Sequence, residues 1–284
     1  MPRTTTASAI TALFVPGDRP ERFSKADNSA ADVVIIDLED AVAPGRKADA
    51  LAAILQHLAP GLDMVRALVR VNAQGTATLP AELAALRGLA EQPGHGLLGL
   101  VVPKAENPEL LREMTAAFAT VVGQPLAFIA LIESAAGVQN APELARVPGV
   151  TRLAFGAIDY ALDINAGAGD RVLDYARSAI VVASRAAGLD APLDSPSVQI
   201  KDAGAVAESA TLARQFGFGG KLCIHPAQLE PVATAFYPTP TEIDWARSVI
   251  GSTEGATQID GQMIDRPVTV RAERILARYS AEHA

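Results

Sequence analysis

Short apolar runs recur along this 284-residue chain at intervals of about 30 residues, the length of a strand plus a crossover helix. The runs are continuously apolar, a pattern typical of parallel strands that are buried on both faces. Eight such units predict a (β/α)8 TIM barrel. The alternative is a doubly wound open sheet, but the glycine-rich G-x-G-x-x-G turn typical of that fold is absent. The eight runs are Ala12–Pro16, Val33–Asp37, Val65–Val71, Leu98–Pro103, Leu126–Ile132, Arg152–Phe155, Ala191–Val198 and Lys221–Ile224.

Segments with the composition of a linker indicate where one domain ends and another begins. The first 235 residues contain no linker-like segment, so residues 1–235 are predicted to form one catalytic barrel domain. Residues 251–261 have loop composition, and residues 268–283 have the pattern of a helix. Residues 236–284 are therefore predicted as a C-terminal helical extension that packs outside the barrel, on a neighbouring subunit. The seventh run is the weakest strand candidate, because it contains Pro192 and Pro196.

Charge and cysteine content exclude several function classes. Asp and Glu number 32 against 24 Lys and Arg, giving a net charge of −8, and no basic run occurs. This balance argues against nucleic-acid partners and against anionic membranes. The single cysteine, Cys223, excludes an intrachain disulfide and a Cys-cluster metal site. No apolar segment approaches the ~20 residues that span a bilayer. We therefore expect a soluble, non-exported, cytoplasmic protein.

Seven of the eight runs end in polar or charged residues, and in a barrel these ends converge on the active site. The groups are Asp18 and Arg19, then Asp37, Glu39 and Asp40, then Arg70 and Asn72, then Lys104 and Glu106, then Glu133 and Ser134, then Asp159, and finally His225. Glu133 and Asp159 follow neighbouring strands and form the best carboxylate pair. Carboxylate oxygens with few histidines suit Mg²⁺, with Mn²⁺ as the alternative ion.

Each of these residues also has a structural interpretation. Arg70 either clamps a carboxylate or an oxyanion, or is a buried ion-pair partner of Glu39. Asp37 and Asp40 are expected to cap a helix that begins near Pro44. The carboxylates of Glu133 and Asp159 are the ones least readily explained in this way, because each closes an apolar run abruptly.

A basic group follows the first run. Arg19, Arg22 and Lys25 form either an exposed helix face or a phosphate-binding patch. His225 precedes a proline, and a hydrogen bond to the backbone is the simpler interpretation for its ring.

Eight motifs occur in a fixed order. They are F-V-P-G-D-R-P-E-R-F at 14–23, I-D-L-E-D-A-V at 36–42, V-R-V-N at 69–72, V-P-K at 102–104, I-E-S at 132–134, F-G-A-I-D-Y at 155–160, I-H-P-A-Q at 224–228 and G-Q-M-I-D-R-P at 261–267. Together they span nearly the whole chain. With them the sequence strongly resembles the citrate lyase β-subunit-like branch of the HpcH/HpaI aldolase superfamily, whose members include malyl-CoA and citramalyl-CoA lyases.

The resemblance implies a TIM barrel, a divalent metal that is usually Mg²⁺, and a homotrimer or a multiple of it. It implies Glu133 and Asp159 as the metal ligands and Arg70 as a substrate and transition-state group. It further implies Glu39 near the metal-bound water and Arg70, and Asp265 in the active site of a neighbouring subunit. Arg19, Arg22 and Lys25 match the positions that hold the CoA phosphates in relatives.

The leading hypothesis is a Mg²⁺-dependent carbon–carbon lyase that cleaves a citryl-, malyl- or citramalyl-type 3-hydroxyacyl-CoA by retro-Claisen chemistry to a 2-oxo acid and acetyl- or acyl-CoA. In this hypothesis Arg70 stabilises the thioester enolate and Asp265 protonates it, which requires a carboxyl pKa raised by burial. A cap or turn role is the alternative for Asp265.

Four other functions stay open. They are a citryl-acyl-carrier-protein lyase β-subunit of a citrate lyase complex, a CoA-independent 2-oxo-acid aldolase, a malate-synthase-like or thioesterase activity, and a non-catalytic binding protein. The presence of both Glu133 and Asp159 argues against the last of these.

Overall fold

Eight parallel strands close into a barrel in sequence order, each hydrogen-bonded to the next and the eighth to the first. The computed structural model describes residues 6–119, 121, 125–167, 170–251, 258–259 and 262–283. The closed parallel barrel confirms the predicted TIM fold and excludes the open doubly wound sheet. The strands are β1 Thr11–Pro16, β2 Val33–Asp37, β3 Ala67–Arg70, β4 Leu97–Val102, β5 Ala127–Ile132, β6 Val150–Phe155, β7 Leu193–Asp194 and β8 Gly220–Cys223.

Helices alternate with the strands along the chain. They are α1 Phe23–Asp27, α2 Lys47–Leu58, α3 Leu79–Ala90, α4 Pro108–Phe118, α5 Ala135–Ala145, α6 Ala157–Asp163, α7 Asp174–Ala186, α8 Ala203–Phe216, α9 Leu229–Phe236, α10 Pro240–Gly251 and α11 Arg266–His283. Single 3₁₀ turns occupy Pro20–Arg22, Pro44–Arg46, Asp170–Leu173 and Pro226–Gln228. In the described part of the chain, no helix combines the length and the apolar character needed to cross a bilayer.

The strands are buried on both faces, as their continuous apolar sequences predict. Every residue of β2 and β5 is buried, because one face packs inside the barrel and the other packs under the helices. Side chains such as Ile35, Leu131 and Leu222 belong to one cluster that fills the interior. Because this interior cluster is apolar, we look for the polar groups of a site at the ends of the barrel.

The seventh strand is much shorter than predicted. β7 contains only Leu193 and Asp194, whereas the apolar pattern indicates residues 191–198. Pro192 and Pro196 flank it, and a proline has no N–H to donate to a neighbouring strand. Leu193 still pairs with both β6 and β8, which is enough to close the barrel.

The chain divides into two compact units, Met1–Ala233 and Thr234–Ala284. The second unit has its own small apolar core between α10 and α11, to which Ala246, Val249 and Ala272 belong. Thr239 and Glu242 cap α10 reciprocally: the Thr239 hydroxyl accepts from the Glu242 N–H, and the Glu242 carboxylate accepts from the Thr239 N–H. A division at residue 235, with packing on a neighbouring subunit, stays a prediction.

Candidate active site

Arg70 and Asp37 form the most constrained ion pair at the carboxyl end of the barrel. They are register partners at the ends of β3 and β2, so their side chains emerge side by side. Asp37 accepts two hydrogen bonds of 2.7 Å, from Nε and Nη2 of Arg70, and it also accepts from the N–H groups of Glu39 and Ala41. The expectation that Asp37 and Asp40 cap a helix near Pro44 is therefore wrong. Both oxygens of Asp37 are used within this cluster, and the 3₁₀ turn at Pro44 has no side-chain cap. Asp37 fixes the plane and direction of the Arg70 guanidinium.

The third guanidinium nitrogen of Arg70 contacts a second carboxylate. Nη1 lies 3.1 Å from Oε2 of Glu39, and the Phe14 ring lies 4.8 Å from the guanidinium carbon. Burial alone lowers the pKa of Arg70, but the hydrogen bonds and charge of Asp37 more than reverse this, so the pKa lies above its usual range. Arg70 is thus a permanent cation, and its predicted ion pair with Glu39 is present.

Glu39 is held between two cations. Its Oε1 accepts a 2.6 Å hydrogen bond from Nζ of Lys104, opposite the contact of Oε2 with Arg70. Burial nevertheless raises the pKa of Glu39, and the charges of Arg70 and Lys104 offset this only in part. Asp40 is exposed and lies 3.7 Å from the same ammonium group. Five charged side chains from three strand ends, Arg70 included, thereby form one network.

Glu133 follows β5 and is almost fully buried, with 4% of its surface exposed. Its Oε2 accepts a 2.9 Å hydrogen bond from the backbone N–H of Lys104. Burial, and next the charge of Glu39, raise the pKa of Glu133 to about 8. Gly156 makes room for this carboxylate, since a Cβ atom at position 156 would lie 2.5 Å from Oε1 of Glu133. The carboxyl group is therefore set in a site that disfavours its charge unless a cation is near.

Asp159 lies in the first turn of α6, half-buried, and its charge contributes to the raised pKa of Glu133. Asp159, Glu133, Asp37 and Arg70 line one cavity of about 390 Å³. The remaining wall is largely apolar or small, with Phe14, Pro16, Leu131, Ser195 and Leu222 among its residues. A cavity of this size, with a few convergent polar groups, is typical of a small-molecule site.

The donor set at this cavity fits Mg²⁺. Nowhere in the described residues do three His, Cys, Asp or Glu side chains converge as they do in a protein-enclosed metal site. Mg²⁺ takes one or two protein carboxylates and keeps its other positions for water and substrate oxygens. Glu133 and Asp159 offer that pair, and a bound cation would offset the burial and the neighbouring negative charge that raise the pKa of Glu133.

The remaining predicted residues lie elsewhere. Arg19, Arg22 and Lys25 are exposed in the segment that follows β1, where Asp18 and Glu21 approach the two arginines only to 3.9 Å. Both interpretations of this basic group, a solvated face and a phosphate site, stay open.

Asp265 belongs to the second unit, where its side chain is exposed. Its Oδ1 accepts from the N–H of Val268 at the start of α11. This is the cap interaction expected if Asp265 has a local structural role. His225 accepts from the Ala227 N–H at the start of a 3₁₀ turn, so its ring has the backbone role expected of it.

Sequence reasoning missed Lys47 and Glu82, and it named Asn72 at a strand end without giving it a role. Lys47 donates to the carbonyl oxygens of Leu38 and Glu39 and so holds the segment after β2 in place. Buried Asn72 donates to the Leu38 carbonyl and is itself held by Glu82. A glycine directly after a strand that ends at a site, as at Gly156, is a readable signal of close approach. The Asp37–Arg70 pairing needed the strand register, which the sequence does not specify.

Comparison with known proteins gives a consistent result. The HpcH/HpaI aldolase/citrate lyase family model matches residues 11–226. A citrate lyase subunit beta-like protein of Mycobacterium tuberculosis is 37% identical over 276 residues, covering 94% of both chains. The L-malyl-CoA/beta-methylmalyl-CoA lyase of Cereibacter sphaeroides is 32% identical over 296 residues, covering 93% of this chain and 92% of its own.

A solved structure extends the similarity to three dimensions. The CitE protein of Mycobacterium tuberculosis, crystallised with magnesium, acetoacetate and coenzyme A, superposes with a TM-score of 0.82 at 36% identity. The match covers 96% of this chain and 99% of that one. These matches and the closed parallel barrel agree. The chain belongs to the HpcH/HpaI aldolase/citrate lyase family and is a carbon–carbon lyase.

Proposed function

We propose that this protein is a Mg²⁺-dependent lyase that cleaves a 3-hydroxyacyl-CoA thioester to a 2-oxo acid and acetyl- or acyl-CoA. The observation that carries the proposal is the convergence of the Glu133–Asp159 carboxylate pair and the fixed Arg70 guanidinium on one cavity of about 390 Å³. Cleavage of a 3-hydroxyacyl thioester needs both components, because charge develops on the hydroxyl oxygen and then on the thioester oxygen.

Glu133 and Asp159 would hold the metal. Mg²⁺ bound there would act as a Lewis acid that lowers the pKa of the substrate hydroxyl. The two carboxylates come from adjacent strand ends, β5 and β6, and the Lys104 N–H fixes the orientation of Glu133. The relatives crystallised with magnesium support this choice of ion, and Mn²⁺ is the alternative.

Arg70 serves the second half of the reaction. The substrate hydroxyl gives its proton to water and its oxygen becomes the carbonyl oxygen of the 2-oxo acid. The electron pair of the broken carbon–carbon bond passes to the thioester fragment as an enolate. A fixed guanidinium stabilises that oxyanion without reorganising, because Asp37 and Glu39 already hold it in place. We assign Arg70 to this oxyanion and Glu39 to the orientation of Arg70.

The enolate carbon then takes up a proton to give acetyl- or acyl-CoA. We assign the proton to Asp265 of a neighbouring copy in a homotrimer or a multiple of it. A carboxylic acid placed beside the enolate carbon would act as the general acid. We assign Arg19, Arg22 and Lys25, exposed after β1, to the CoA phosphates.

The experiment is an assay with malyl-, citramalyl- and citryl-CoA offered separately, with Mg²⁺, with EDTA, and with Mg²⁺ or Mn²⁺ restored. Release of a 2-oxo acid and of free thiol is measured in parallel. We expect one thioester to give 2-oxo acid in an EDTA-sensitive reaction. Free thiol without 2-oxo acid would indicate a thioesterase and contradict the proposal.

Two further arms of the assay test substrates that carry no CoA. Cleavage of a citryl-acyl-carrier-protein thioester alone would indicate a β-subunit of a citrate lyase complex. Cleavage of free 2-oxo-4-hydroxy acids alone would indicate a CoA-independent aldolase. Either result, with all three CoA thioesters inert, would overturn the assignment of CoA thioesters as substrates.

A further inference from the structure

Lys104 has a backbone conformation that lysine rarely adopts. Its φ is +46°, and among the described residues only one other non-glycine residue, Asn165 at +54°, has a positive φ. The left-handed region costs an L-residue roughly 1–2 kcal/mol, and such residues persist only where their surroundings hold them. Glycine would adopt the same conformation without strain. A lysine in this strained conformation therefore indicates that its side chain has a role.

Both ends of Lys104 contact carboxylates of the site. Its backbone N–H donates to Oε2 of Glu133 at 2.9 Å, and its Nζ donates to Oε1 of Glu39 at 2.6 Å. Glu39 raises the pKa of Glu133, so the two carboxylates oppose each other electrostatically. Lys104 supplies a donor to each and holds them in one arrangement.

The contact with Glu39 extends to Arg70. With Oε1 of Glu39 fixed by the ammonium group, Oε2 is directed to within 3.1 Å of Nη1 of Arg70. Without the ammonium group, the Glu39 carboxylate would lose one of its two cationic partners, and we expect it to turn a different edge towards Arg70. The metal-facing carboxylate and the oxyanion-facing guanidinium are thus linked through one residue.

We propose that Lys104 is a positioning residue that sets the placement of Glu133, through its backbone, and of Glu39 and Arg70, through its side chain. The inference rests on the proposed function for its catalytic consequence. The proposed role has two parts that can be tested separately. The backbone N–H of Lys104 positions Glu133, and its ammonium group positions Glu39.

Two substitutions separate the parts. Lys104→Gly removes the ammonium group but keeps the conformation that aims the N–H at Glu133. Lys104→Val removes the same group and disfavours a positive φ, so the N–H moves away. Lys104→Arg keeps a cation. The matched control is Asn165→Gly, which relieves the same kind of strain at an exposed position and should leave every readout at its wild-type value.

The readouts are the Mg²⁺ dissociation constant by calorimetry, kcat and KM for the cleaved thioester, and the position of Glu39 in a crystal structure. We expect Lys104→Gly to bind Mg²⁺ within about twofold of wild type while kcat falls roughly 10–100-fold, and Lys104→Arg to recover part of kcat. Lys104→Val should also lose roughly 10–100-fold in Mg²⁺ affinity. In crystals of Lys104→Gly the Glu39 carboxylate should move by more than about 0.5 Å.

Each part has its own contradicting result. Wild-type kcat or an unmoved Glu39 in Lys104→Gly would overturn the side-chain part. Wild-type Mg²⁺ affinity in Lys104→Val would overturn the backbone part. An enzyme inactive on every thioester would overturn the proposed function instead, while the Mg²⁺ affinities and the Glu39 position still test Lys104.

Discussion

The two ends of the barrel bury charge in opposite ways. At the amino-terminal end, Arg152 on β6 is 1% exposed and donates to the carbonyl oxygens of Ala191, Ala9 and Thr6 at 2.6, 2.7 and 3.3 Å. At the carboxyl end, buried Glu133 lines the cavity, and burial together with the charge of nearby Glu39 raises its pKa. Oε2 of Glu39 is buried without a well-formed hydrogen bond among the described residues.

We interpret the charge at the amino-terminal end as stabilising the fold and the charges at the carboxyl end as serving function. Arg152 donates to backbone acceptors from segments distant in sequence, and the charges of Asp190 and Asp32 also stabilise it, so it ties the amino-terminal end of the barrel together. Burial lowers its pKa to about 10, and the guanidinium still stays charged at neutral pH. At the other end, Glu133 and Asp159 line the cavity, which is where a cation and substrate can bind.

The largest effect should come from the carboxylate pair. We expect Glu133→Gln and Asp159→Asn each to lower kcat by roughly 10³-fold or more, because Lewis-acid stabilisation by the metal is worth several kcal/mol. The free energy of unfolding should stay the same or rise, since each change removes one of two carboxylates that repel. Steady-state kinetics and urea denaturation measure the two effects. A large loss of stability in both variants would contradict the comparison.

Arg152→Met should lower the free energy of unfolding and leave kcat almost unchanged, the opposite of the carboxylate variants. It leaves one buried and two partly buried carbonyl oxygens without this donor, and we expect a loss of about 3–5 kcal/mol in the free energy of unfolding. Below the denaturation midpoint, kcat should stay within about twofold of wild type. The control is Arg146→Met on an exposed position at the end of α5, expected to change stability by no more than about 0.5 kcal/mol. Equal losses in the two variants would contradict a special role for Arg152.

Arg70→Lys should lower kcat/KM by roughly 10²–10³-fold while Mg²⁺ still binds, because one ammonium group cannot bridge Asp37 in two places and also reach Glu39. The matched control is Arg185→Lys on the exposed surface of α7, which should be silent. The measurement is kcat/KM together with a Mg²⁺ titration. Loss of Mg²⁺ binding in Arg70→Lys would show that Arg70 supports the metal instead of the oxyanion.

The smallest effect should come from Gly156→Ala. The new Cβ would lie 2.5 Å from Oε1 of Glu133, so the carboxylate must shift, and we expect Mg²⁺ affinity to fall roughly 10–100-fold. Gly88→Ala on α3, where a Cβ meets nothing within 4 Å, should leave Mg²⁺ affinity unchanged and stabilise the helix by about 0.5–1 kcal/mol. Calorimetric titration with Mg²⁺ measures the affinity of both variants. Unchanged affinity in Gly156→Ala would contradict the role given to this glycine.

Most of the fold could be predicted from the sequence, because apolar runs buried on both faces at a regular spacing are compatible with few folds besides a parallel barrel. The bounds of β7 could not be predicted from hydrophobicity. Pro192 and Pro196 remove ladder donors, and only the pairing of Leu193 with both neighbours holds the strand in the sheet. The two prolines thus determine where β7 begins and ends, which the apolar pattern did not predict.

The candidate site could be predicted in part. Strand ends indicated Arg70, Glu133 and Asp159, and the Arg70–Glu39 pair was one of two open interpretations. The partnership of Asp37 with Arg70 depends on register, and the role of Lys104 depends on a backbone angle. Neither quantity can be read from a residue pattern. The roles of Asp265 and of a homotrimer involve a second copy of the chain, so they stay proposals.

The central claim is that Glu133 and Asp159 hold the metal on which cleavage depends. Its most direct test is a calorimetric Mg²⁺ titration of wild type, Glu133→Gln and Asp159→Asn, each with a 2-oxo acid present. The account predicts binding to wild type and loss of binding in both variants, which stay folded. Undiminished Mg²⁺ binding in both variants would contradict it and place the metal elsewhere.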